Sequence, residues 1–416
     1  MKDNVADMDA ARRRRRGQQE LPEWTEHANR SATGALIAEL ANVAIALKHD
    51  PDLRNLFAFD EFSQQTILMP SFGNSFHNGR GGPLTDTVVA KLQERLQNEG
   101  LARIHRDTVH QAIDLHASQF PVHPLRDWLG GLEWDGVARV VDWLSFYLGA
   151  ARTPYTNEVG RMFLISMVAR VFRPGCKADH MLVVEGPQGI LKSTALRTLS
   201  GDEYFSDSLP DISTNMKDAR AHLHGKWLIE IAELASFNRA EAAHLKSFLT
   251  CQTDIFRPPY GRLDVQKPRS CVFAGSTNEK LYLKDQTGGR RFWPVKCGEI
   301  DIDALIADRG ALFAEAVRLY EGGIKWWPDR DFEQQHIEAE QQSRREMDPW
   351  VETIGGYVEQ RQAVTIMDIQ VYALDIKSDR MSTRDRNRIV ACLEELGWHA
   401  TAEKHFETRR TLYRRH

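Results

Sequence analysis

The sequence predicts an α/β protein with a P-loop core built on a parallel sheet, a helical N-terminal domain and a small C-terminal winged-helix-like domain. Three observations carry this prediction. An apolar, strand-like run at 181–185 leads into a glycine-containing turn and a helix-like segment. Two further apolar runs, at 227–234 and 271–275, alternate with helix-like segments, as in a parallel sheet covered on both faces. Apolar residues at helical spacing dominate both ends of the chain.

The pattern divides the chain into four predicted segments. Residues 1–20 are predicted to form a disordered basic tail. Its arginine run at 12–16 either contacts phosphate groups nonspecifically or is only solvated. Residues 21–122 form a helical accessory domain. Its apolar stripes are Leu36, Leu40, Val43 and Leu47, then Val88, Leu92 and Leu96. The P-loop core spans 123–335, including a helix from Pro154 to Val171, and the winged-helix-like domain spans 346–416.

Composition indicates an ordinary globular protein. Of the 416 residues, 42% are hydrophobic and 27% charged, and the net charge of −4 argues against a uniformly basic nucleic-acid coat. The five cysteines show no CxxC spacing, so neither a zinc site nor a disulfide framework is indicated and a cytoplasmic location is expected. No apolar stretch approaches the roughly twenty residues of a membrane span, so no membrane partner is expected.

The turn after the first strand has the features of a phosphate-binding loop. In such a loop, backbone N–H groups surround the β-phosphate at the positive end of the following helix. Lys192 would reach the β and γ oxygens and Ser193 would ligate Mg²⁺, so ATP and Mg²⁺ are the expected cofactors. The residues expected to bind the nucleotide are Gly186, Pro187, Gln188, Gly189, Ile190, Leu191, Lys192, Ser193 and Thr194.

Leu191 departs from this pattern, because glycine is expected just before the lysine. A side chain there restricts the approach of backbone to phosphate, so either φ stays negative at Leu191 or the loop is impaired. The alternative interpretation of the segment is a Gly-Pro turn between strand and helix with an exposed lysine.

The second strand, KWLIEIAE at 226–233, ends in glutamate as a Walker B segment does. Side chains alternate along a strand, so Glu230 shares a face with Ala232, where aspartate is usual, and Glu233 lies on the other face. We assign Glu233 to orienting the attacking water and Glu230, with Ser193, to the metal, although this division of roles is open. Alternatively, Glu233 only caps the following helix.

Asn278 and a pair of arginines complete the predicted catalytic set. Asn278 follows the third strand, where its amide would bond the γ-phosphate or the attacking water, unless it is a plain turn residue. Arg290 and Arg291 precede the aromatic residues of the GGRRFWP segment. Such a pair suits an arginine finger that enters a neighbouring subunit's site and offsets transition-state charge. A surface ion pair is the alternative, and the sequence does not rank the two arginines.

Four segments together resemble the virulence-associated E family, P-loop proteins of phages, plasmids and genomic islands related to superfamily 3 helicases. They are EGPQG…KSTAL from 185, WLIEIAEL from 227, FRPPYGR from 256 and GGRRFWP from 288. The resemblance extends from about Pro124 to Pro328. It implies an AAA+-like core, a homo-oligomeric ring (a hexamer) and ATP-driven movement on single-stranded DNA. Replication proteins are possible partners. Primase activity is not inferred, because the region before Pro124 is short and lacks an evident acidic metal cluster.

Two further segments are predicted to contact DNA. In the related helicases, a hairpin in the interval of Phe256 to Arg262 projects into the central pore, so Arg257 and Arg262 would follow phosphates and Tyr260 would stack on a base. A subunit-contact loop is the alternative. Near the C-terminus, Arg384 and Arg388 lie opposite the apolar face of a helix that precedes two strand-like runs. A winged helix with a basic surface would bind DNA here, unless it serves protein docking.

Three function classes follow. The first is a ring-forming, ATP-dependent helicase or translocase on single-stranded DNA in the replication of a mobile element. The second is a DNA-binding initiator or regulator that uses nucleotide as a switch without efficient hydrolysis. The third is a P-loop ATPase acting on protein partners, such as a loader. DNA-stimulated ATP hydrolysis separates the first from the other two.

Overall fold

The computed structural model describes residues 21–70, 81–257, 264–283, 289–345, 348–377, 380–406 and 408–415. The predicted basic tail, Tyr260 and Arg262 lie outside these residues. Buried apolar side chains form four clusters: one in the N-terminal region, one on each face of a central sheet, and one in the C-terminal region. No described helix is long and apolar enough to span a membrane.

The N-terminal region combines helices with a small sheet. Its elements are α1 (Leu40–His49), β1 (Phe57–Asp60), β2 (Gln65–Leu68), β3 (Gly82–Pro83), α2 (Asp86–Asn98), α3 (Arg106–Ala117) and β4 (Pro121–Val122). The sheet has the order β3-β2-β1-β4, with β4 parallel to β1 and the other pairs antiparallel. The prediction of a helical domain at 21–122 was therefore incomplete. Strands this short carry too little alternation to stand out beside helical stripes.

The elements of the central region alternate helix and strand over most of its length. They are α4 (Pro124–Gly130), α5 (Trp143–Leu148), α6 (Pro154–Phe172), β5 (Met181–Glu185), α7 (Lys192–Ser200), β6 (Phe205–Ser206), α8 (Met216–His222), β7 (Leu228–Ile231), α9 (Arg239–Leu249), β8 (Thr253–Phe256), β9 (Val265–Pro268), β10 (Val272–Thr277), β11 (Phe292–Lys296) and α10 (Ile302–Glu321).

Five of these strands form one all-parallel sheet in the order β11-β5-β10-β7-β6. The predicted parallel sheet is thus present, with two edge strands that the sequence did not reveal. Pro294 interrupts the strand signal of β11, and it is tolerated because an edge strand leaves one side of its backbone unpaired. The interior strand β5 is buried along its whole length, as its continuous apolar run requires.

Helix α6 is the best-predicted helix and the most deeply buried. Thr153 caps it, its side chain accepting from the Thr156 N–H, and Pro154 occupies its first turn. The helix ends before Pro174-Gly175, as expected from the loss of a backbone donor at proline. It packs on the sheet face that carries Leu182 and Val184, together with α5 and α10.

An antiparallel hairpin of β8 and β9 leaves the sheet between α9 and β10. A buried ion pair secures its base, where Arg269 Nε and Nη2 donate to the Asp254 carboxylate at 2.9 and 2.6 Å. The two side chains are 0% and 2% exposed. The base of the hairpin is therefore a fixed part of the core.

The C-terminal region follows a helical bridge. Its elements are α11 (Arg330–Phe332), a π-helical turn (Glu333–Ile337), α12 (Glu338–Gln342), α13 (Pro349–Val358), α14 (Ile366–Asp368), a second π-helical turn (Ile369–Ala373), α15 (Thr383–Glu395), β12 (Trp398–Lys404) and β13 (Thr411–Arg415). β12 and β13 form an antiparallel hairpin, and Val364 pairs with Tyr413 beside it.

Candidate functional site

Three adjacent parallel strands end at one edge of the sheet, and the predicted polar residues follow them there. β5 ends at Glu185 and leads into the loop 186–191, β7 ends just before Glu233, and β10 ends just before Asn278. The carboxyl edge of a parallel sheet is where open α/β folds place ligands. The crest of the loop, Pro187 to Gly189, is exposed to solvent at this edge.

The backbone of the loop uses left-handed conformations at two glycines and at the unexpected leucine. Gly189 has φ 87° and Gly186 has φ 154°. A Cβ on Gly186 would lie 2.5 Å from Ile190 Cδ1, so a larger residue there would displace the Ile190 side chain as well as strain the backbone. Leu191 has φ 68° and ψ 27°, with half of its side chain exposed. The loop therefore adopts the backbone that glycine would favour, despite the side chain.

The Lys192 ammonium is fully engaged at the first turn of α7. Its Nζ donates to the carbonyls of Gly186 and Pro187 at 2.7 and 2.8 Å, and to Asn278 Oδ1 at 2.8 Å. Lys192 is only 9% exposed, and burial lowers its pKa from the ordinary value. The alternative of an exposed lysine in a simple turn does not fit this geometry. The contact also brings Asn278, 86 residues away in sequence, to the loop.

Ser193 and Glu230 meet beside the lysine. Ser193 Oγ donates to Glu230 Oε1 at 2.7 Å, and Glu230 is 1% exposed. Among the described residues, its other oxygen, Oε2, has no hydrogen-bond partner. A buried carboxylate oxygen without a partner is costly. A hydroxyl and a carboxylate oxygen are ligands that Mg²⁺ uses in phosphate sites, together with waters and the phosphates themselves, so the two residues fit such an ion.

Protein side chains alone do not make a closed metal cage here. Within the described ranges, no group of three or more His, Cys, Asp or Glu side chains is arranged to hold an ion.

Glu233 follows β7 in a left-handed conformation, with φ 52° and ψ 46°. Its side chain makes no capping hydrogen bond to the turn Leu234–Ser236, so the capping alternative does not account for it. It is exposed and lines a cleft of about 450 Å³ together with Thr277 and Asn278. Non-glycine residues held at positive φ concentrate at functional sites, and Leu191 and Glu233 are two such residues at one edge.

Arg290 and Arg291 lie at the opposite edge of the sheet, directly before β11. They line a cleft of about 1090 Å³ that also contains the cations Arg173 and Lys177. Trp326 and Trp327 form part of its wall. Burial, with the positive charges of Lys177, Arg290 and Arg291, lowers the pKa of His180 in this cleft to about 4. The structure does not bring the arginines to Lys192 or Glu233 within one chain.

The predicted DNA-contacting residues differ in their surroundings. Arg257 is exposed at the end of β8 and pairs with Asp264 at 3.1 Å. Arg384 is exposed on the first turn of α15. Arg388 is engaged within the chain: its guanidinium donates to both Asp348 oxygens, at 2.8 and 2.7 Å, and lies over the Trp350 ring, so its contact with DNA stays a prediction. These contacts hold α13 against α15.

A buried network behind the loop was not foreseen. Glu185, the last residue of β5, accepts from the Tyr282 hydroxyl at 2.8 Å and from Arg344 Nε and Nη2, each at 3.1 Å. Gln341 also donates to the Phe292 carbonyl. Residues 338–345 are therefore attached to the core, beyond the predicted limit at 335. The sequence gives one indication of this attachment, which is the i,i+4 spacing of the oppositely charged Glu340 and Arg344.

Comparison with known proteins gives one family and one group of structures. The sequence model of the virulence-associated protein E-like domain matches residues 129–346. No curated protein matches this sequence. Three apo structures of the NrS-1 C-terminal region are similar, with sequence identities of 12%, 12% and 13%. In each, the match covers 86% of this chain and 96% of the other, with TM-scores of 0.44, 0.41 and 0.46.

Proposed function

The chain belongs to the virulence-associated protein E-like family, and on that premise we propose that it is an ATP-hydrolysing, ring-forming translocase or helicase. It would act on single-stranded DNA in the replication of a phage or other mobile element, with an AAA+-like P-loop core and with replication proteins as further partners. One observation carries the proposal: Lys192, Ser193, Glu230 and Asn278 converge through direct contacts at the carboxyl edge of the sheet.

The loop 186–191 and the first turn of α7 bind the phosphates in this proposal. The backbone N–H groups of the loop and the positive end of α7 would together bind the phosphate oxygens. Lys192 exchanges its carbonyl and amide partners for phosphate oxygens, which bear full negative charge and form stronger hydrogen bonds with an ammonium. Asn278, released from Lys192, then becomes free to contact the terminal phosphate or the attacking water.

Ser193 and the buried Glu230 would hold Mg²⁺, giving Glu230 Oε2 the partner that it lacks among the described residues. When bound, the ion offsets negative charge on the phosphate oxygens. Glu233 orients the attacking water from the cleft that it shares with Asn278. Glu233 is suited to this task because its side chain is exposed and makes no capping bond.

A neighbouring subunit completes the site. Arg290 and Arg291 lie at the amino edge of the sheet, in a cleft with Arg173 and Lys177, whereas the P-loop edge exposes Glu233 and Glu279. A head-to-tail contact would bring this arginine cleft to the P-loop edge of the next subunit, and such heterologous contacts close into a ring when the rotation permits, here a hexamer.

The test is the ATPase rate of the full chain with and without single-stranded DNA. The parent should hydrolyse ATP faster with DNA, and Lys192→Ala should abolish hydrolysis while the circular dichroism spectrum stays unchanged. Lys48→Ala, which removes an exposed lysine of α1, is the matched control and should keep the parent rate. Unchanged hydrolysis in a folded Lys192→Ala variant would contradict the proposal, and hydrolysis indifferent to DNA would instead favour an ATPase that acts on protein partners.

A second candidate function is favoured by Leu191. A leucine side chain at φ 68° stands where a phosphate must approach the backbone. If it slows turnover, the nucleotide becomes a structural switch in a DNA-binding initiator. Tight nucleotide binding with sequence-specific duplex binding and no hydrolysis would select this function.

A further inference from the structure

The hairpin of β12 and β13 is an arm with a fixed base and a projecting tip. Trp398 and Tyr413 at its base are 3% and 7% exposed and belong to the C-terminal apolar cluster. Val364 and Tyr413 exchange two backbone hydrogen bonds, at 3.0 and 2.8 Å, and hold the base laterally. The four residue steps of β13 from Arg415 to Thr411 extend the arm by about 13 Å, and β12 bulges between Ala400 and Lys404.

Phe406 stands at the end of this arm with 94% of its surface exposed. No other large apolar side chain among the described residues is as open to solvent. The turn that presents the ring is closed by backbone bonds: the His405 N–H donates to the Arg410 carbonyl at 2.7 Å, and the Arg409 N–H donates to the His405 carbonyl at 2.9 Å. The ring is thus displayed by a closed turn and not by a loose end.

Cations flank Phe406 in the sequence. Lys404, Arg409 and Arg410 are all exposed, and the segment 404–410 contains these three cations against one glutamate in the sequence. Neither Arg409 nor Arg410 forms an ion pair with a carboxylate within the part of the chain that the structure describes. Arg414, further down the arm, is paired with Glu403. Positive charge is therefore concentrated in the sequence at the tip of the arm, next to Phe406.

We propose that this tip binds DNA at the junction between single and double strands, with Phe406 stacked on the terminal base pair and Lys404, Arg409 and Arg410 on the flanking phosphates. The inference rests on the proposed action on DNA and adds a contact site to it. This combination of cations and one aromatic ring suits a nucleic acid. The phosphates can pair with the cations, and a base can stack on the ring.

A junction fits the tip better than a continuous single strand. Surfaces that bind single strands present several aromatic side chains, on which successive bases stack. Here one ring projects at the end of the arm, which matches one available base plane. In duplex DNA, the only base plane open to stacking is that of the terminal pair, and a fork exposes it between two diverging backbones.

The experiment measures binding of the full chain, without nucleotide, to a forked duplex, a single strand and a blunt duplex, each labelled with fluorescein. Phe406→Ala should weaken fork binding about tenfold, the size of one lost stacking contact, and Phe406→Trp should retain the parent affinity. A fork with 2-aminopurine in its terminal pair should change fluorescence with the parent and with Phe406→Trp but not with Phe406→Ala. Tyr372→Ala is the matched control, because Tyr372 is an aromatic residue of the same region that is 72% exposed.

Each other result has a definite reading. If the parent binds none of the three DNAs, both the proposed function and the tip contact are wrong. If the parent binds and Phe406→Ala binds the fork equally well, the tip contact alone is wrong. A loss that is equal on fork and single strand, or a loss of the same size in Tyr372→Ala, would also overturn the junction contact.

Discussion

Leu191 is the residue at which the loop departs most clearly from a standard phosphate-binding sequence. A left-handed backbone costs a non-glycine residue about 1–2 kcal/mol, whereas glycine costs about 0.5–1 kcal/mol in unfolded-chain entropy. These effects nearly cancel, and the exposed half of the side chain has little burial to lose. The free energy of unfolding of Leu191→Gly should therefore lie within about 1 kcal/mol of the parent's. The variant should keep or raise ATPase activity.

Leu191→Ala serves as the control for that variant, because it removes the branched side chain but retains the Cβ. By the same balance, its free energy of unfolding should also lie within about 1 kcal/mol of the parent's in chemical denaturation. A large loss of activity in Leu191→Gly would mean that the leucine side chain itself is needed in the loop.

Glu230 gives a prediction in which stability and activity separate. The buried Oε2 lacks a partner in the part of the chain that the structure describes, so Glu230→Gln removes a costly charge while the Ser193 hydroxyl can still donate to the remaining oxygen. The thermal unfolding midpoint should be equal to or above that of the parent, and ATP hydrolysis should fall about 10- to 100-fold. Glu203→Gln makes the same change at an exposed residue and should alter neither. Full activity in Glu230→Gln would remove Glu230 from the site.

Sequence reasoning was most successful where a residue's neighbours are local. Lys192 and Ser193 follow from the loop and the helix start, which lie together in the chain. The contact of Lys192 with Asn278 depends on β5 lying beside β10, and strand order is not encoded in either segment. Arg388 was assigned to DNA from its helical face alone, and its partner Asp348 lies 40 residues earlier.

At the scale of elements, the β8–β9 hairpin has a rigid base and an adjustable end. Arg269 and Asp254 are buried at the base, whereas Arg257 and Asp264 are 59% and 62% exposed at the other end. An exposed pair contributes at most about 1 kcal/mol to stability. Changes to it should leave folding unchanged and affect only a ligand that competes for Arg257.

The exposed Arg257–Asp264 pair predicts opposite effects of changing its two members on the binding of single-stranded DNA. Arg257→Gln should weaken single-strand binding and reduce the salt slope of binding by about one, because one phosphate contact is lost. Asp264→Asn should release Arg257 and strengthen binding severalfold at the same salt. Fluorescence anisotropy over a salt series measures both. If the two variants bind as the parent does, Arg257 does not contact DNA.

The elements that the sequence identified are those with long or continuous patterns. Helix α6, with its cap and its terminal Pro-Gly, and the buried strands β5, β7 and β10 were found. The two-residue strand β6, the proline-containing β11 and the small N-terminal sheet were missed. Each of these segments is a strand because it pairs with a neighbouring strand in the fold. Local sequence propensity does not predict such pairing.

At the scale of the whole molecule, the two functional edges of the sheet are separated by the length of its strands. Five residues of β5 place the P-loop about 16 Å from the level of the arginines. Arg290 and Arg291 must therefore act on a second subunit if they act on nucleotide at all. Subunits with Arg291→Ala mixed with subunits with Glu233→Gln should then regain activity, since about a quarter of random interfaces keep both residues intact.

The mixing experiment uses each inactive variant alone as its control, and Arg290→Ala is mixed in the same way to rank the two arginines. A mixture no more active than its two parents would exclude a shared site. Analytical ultracentrifugation of each variant must give the same assembly as the parent, so that loss of assembly is not read as loss of catalysis.

The Glu185–Arg344 contact restricts how this chain can be cut and rejoined. Glu185 immediately precedes the loop, and its buried carboxylate depends on a cation that arrives 159 residues later. A hybrid protein that takes a foreign C-terminal module from residue 336 onward would leave this carboxylate unpaired, at a cost of about 3–5 kcal/mol. Module exchange at the far end of the chain is therefore compatible with an intact loop only when the junction falls after Arg345.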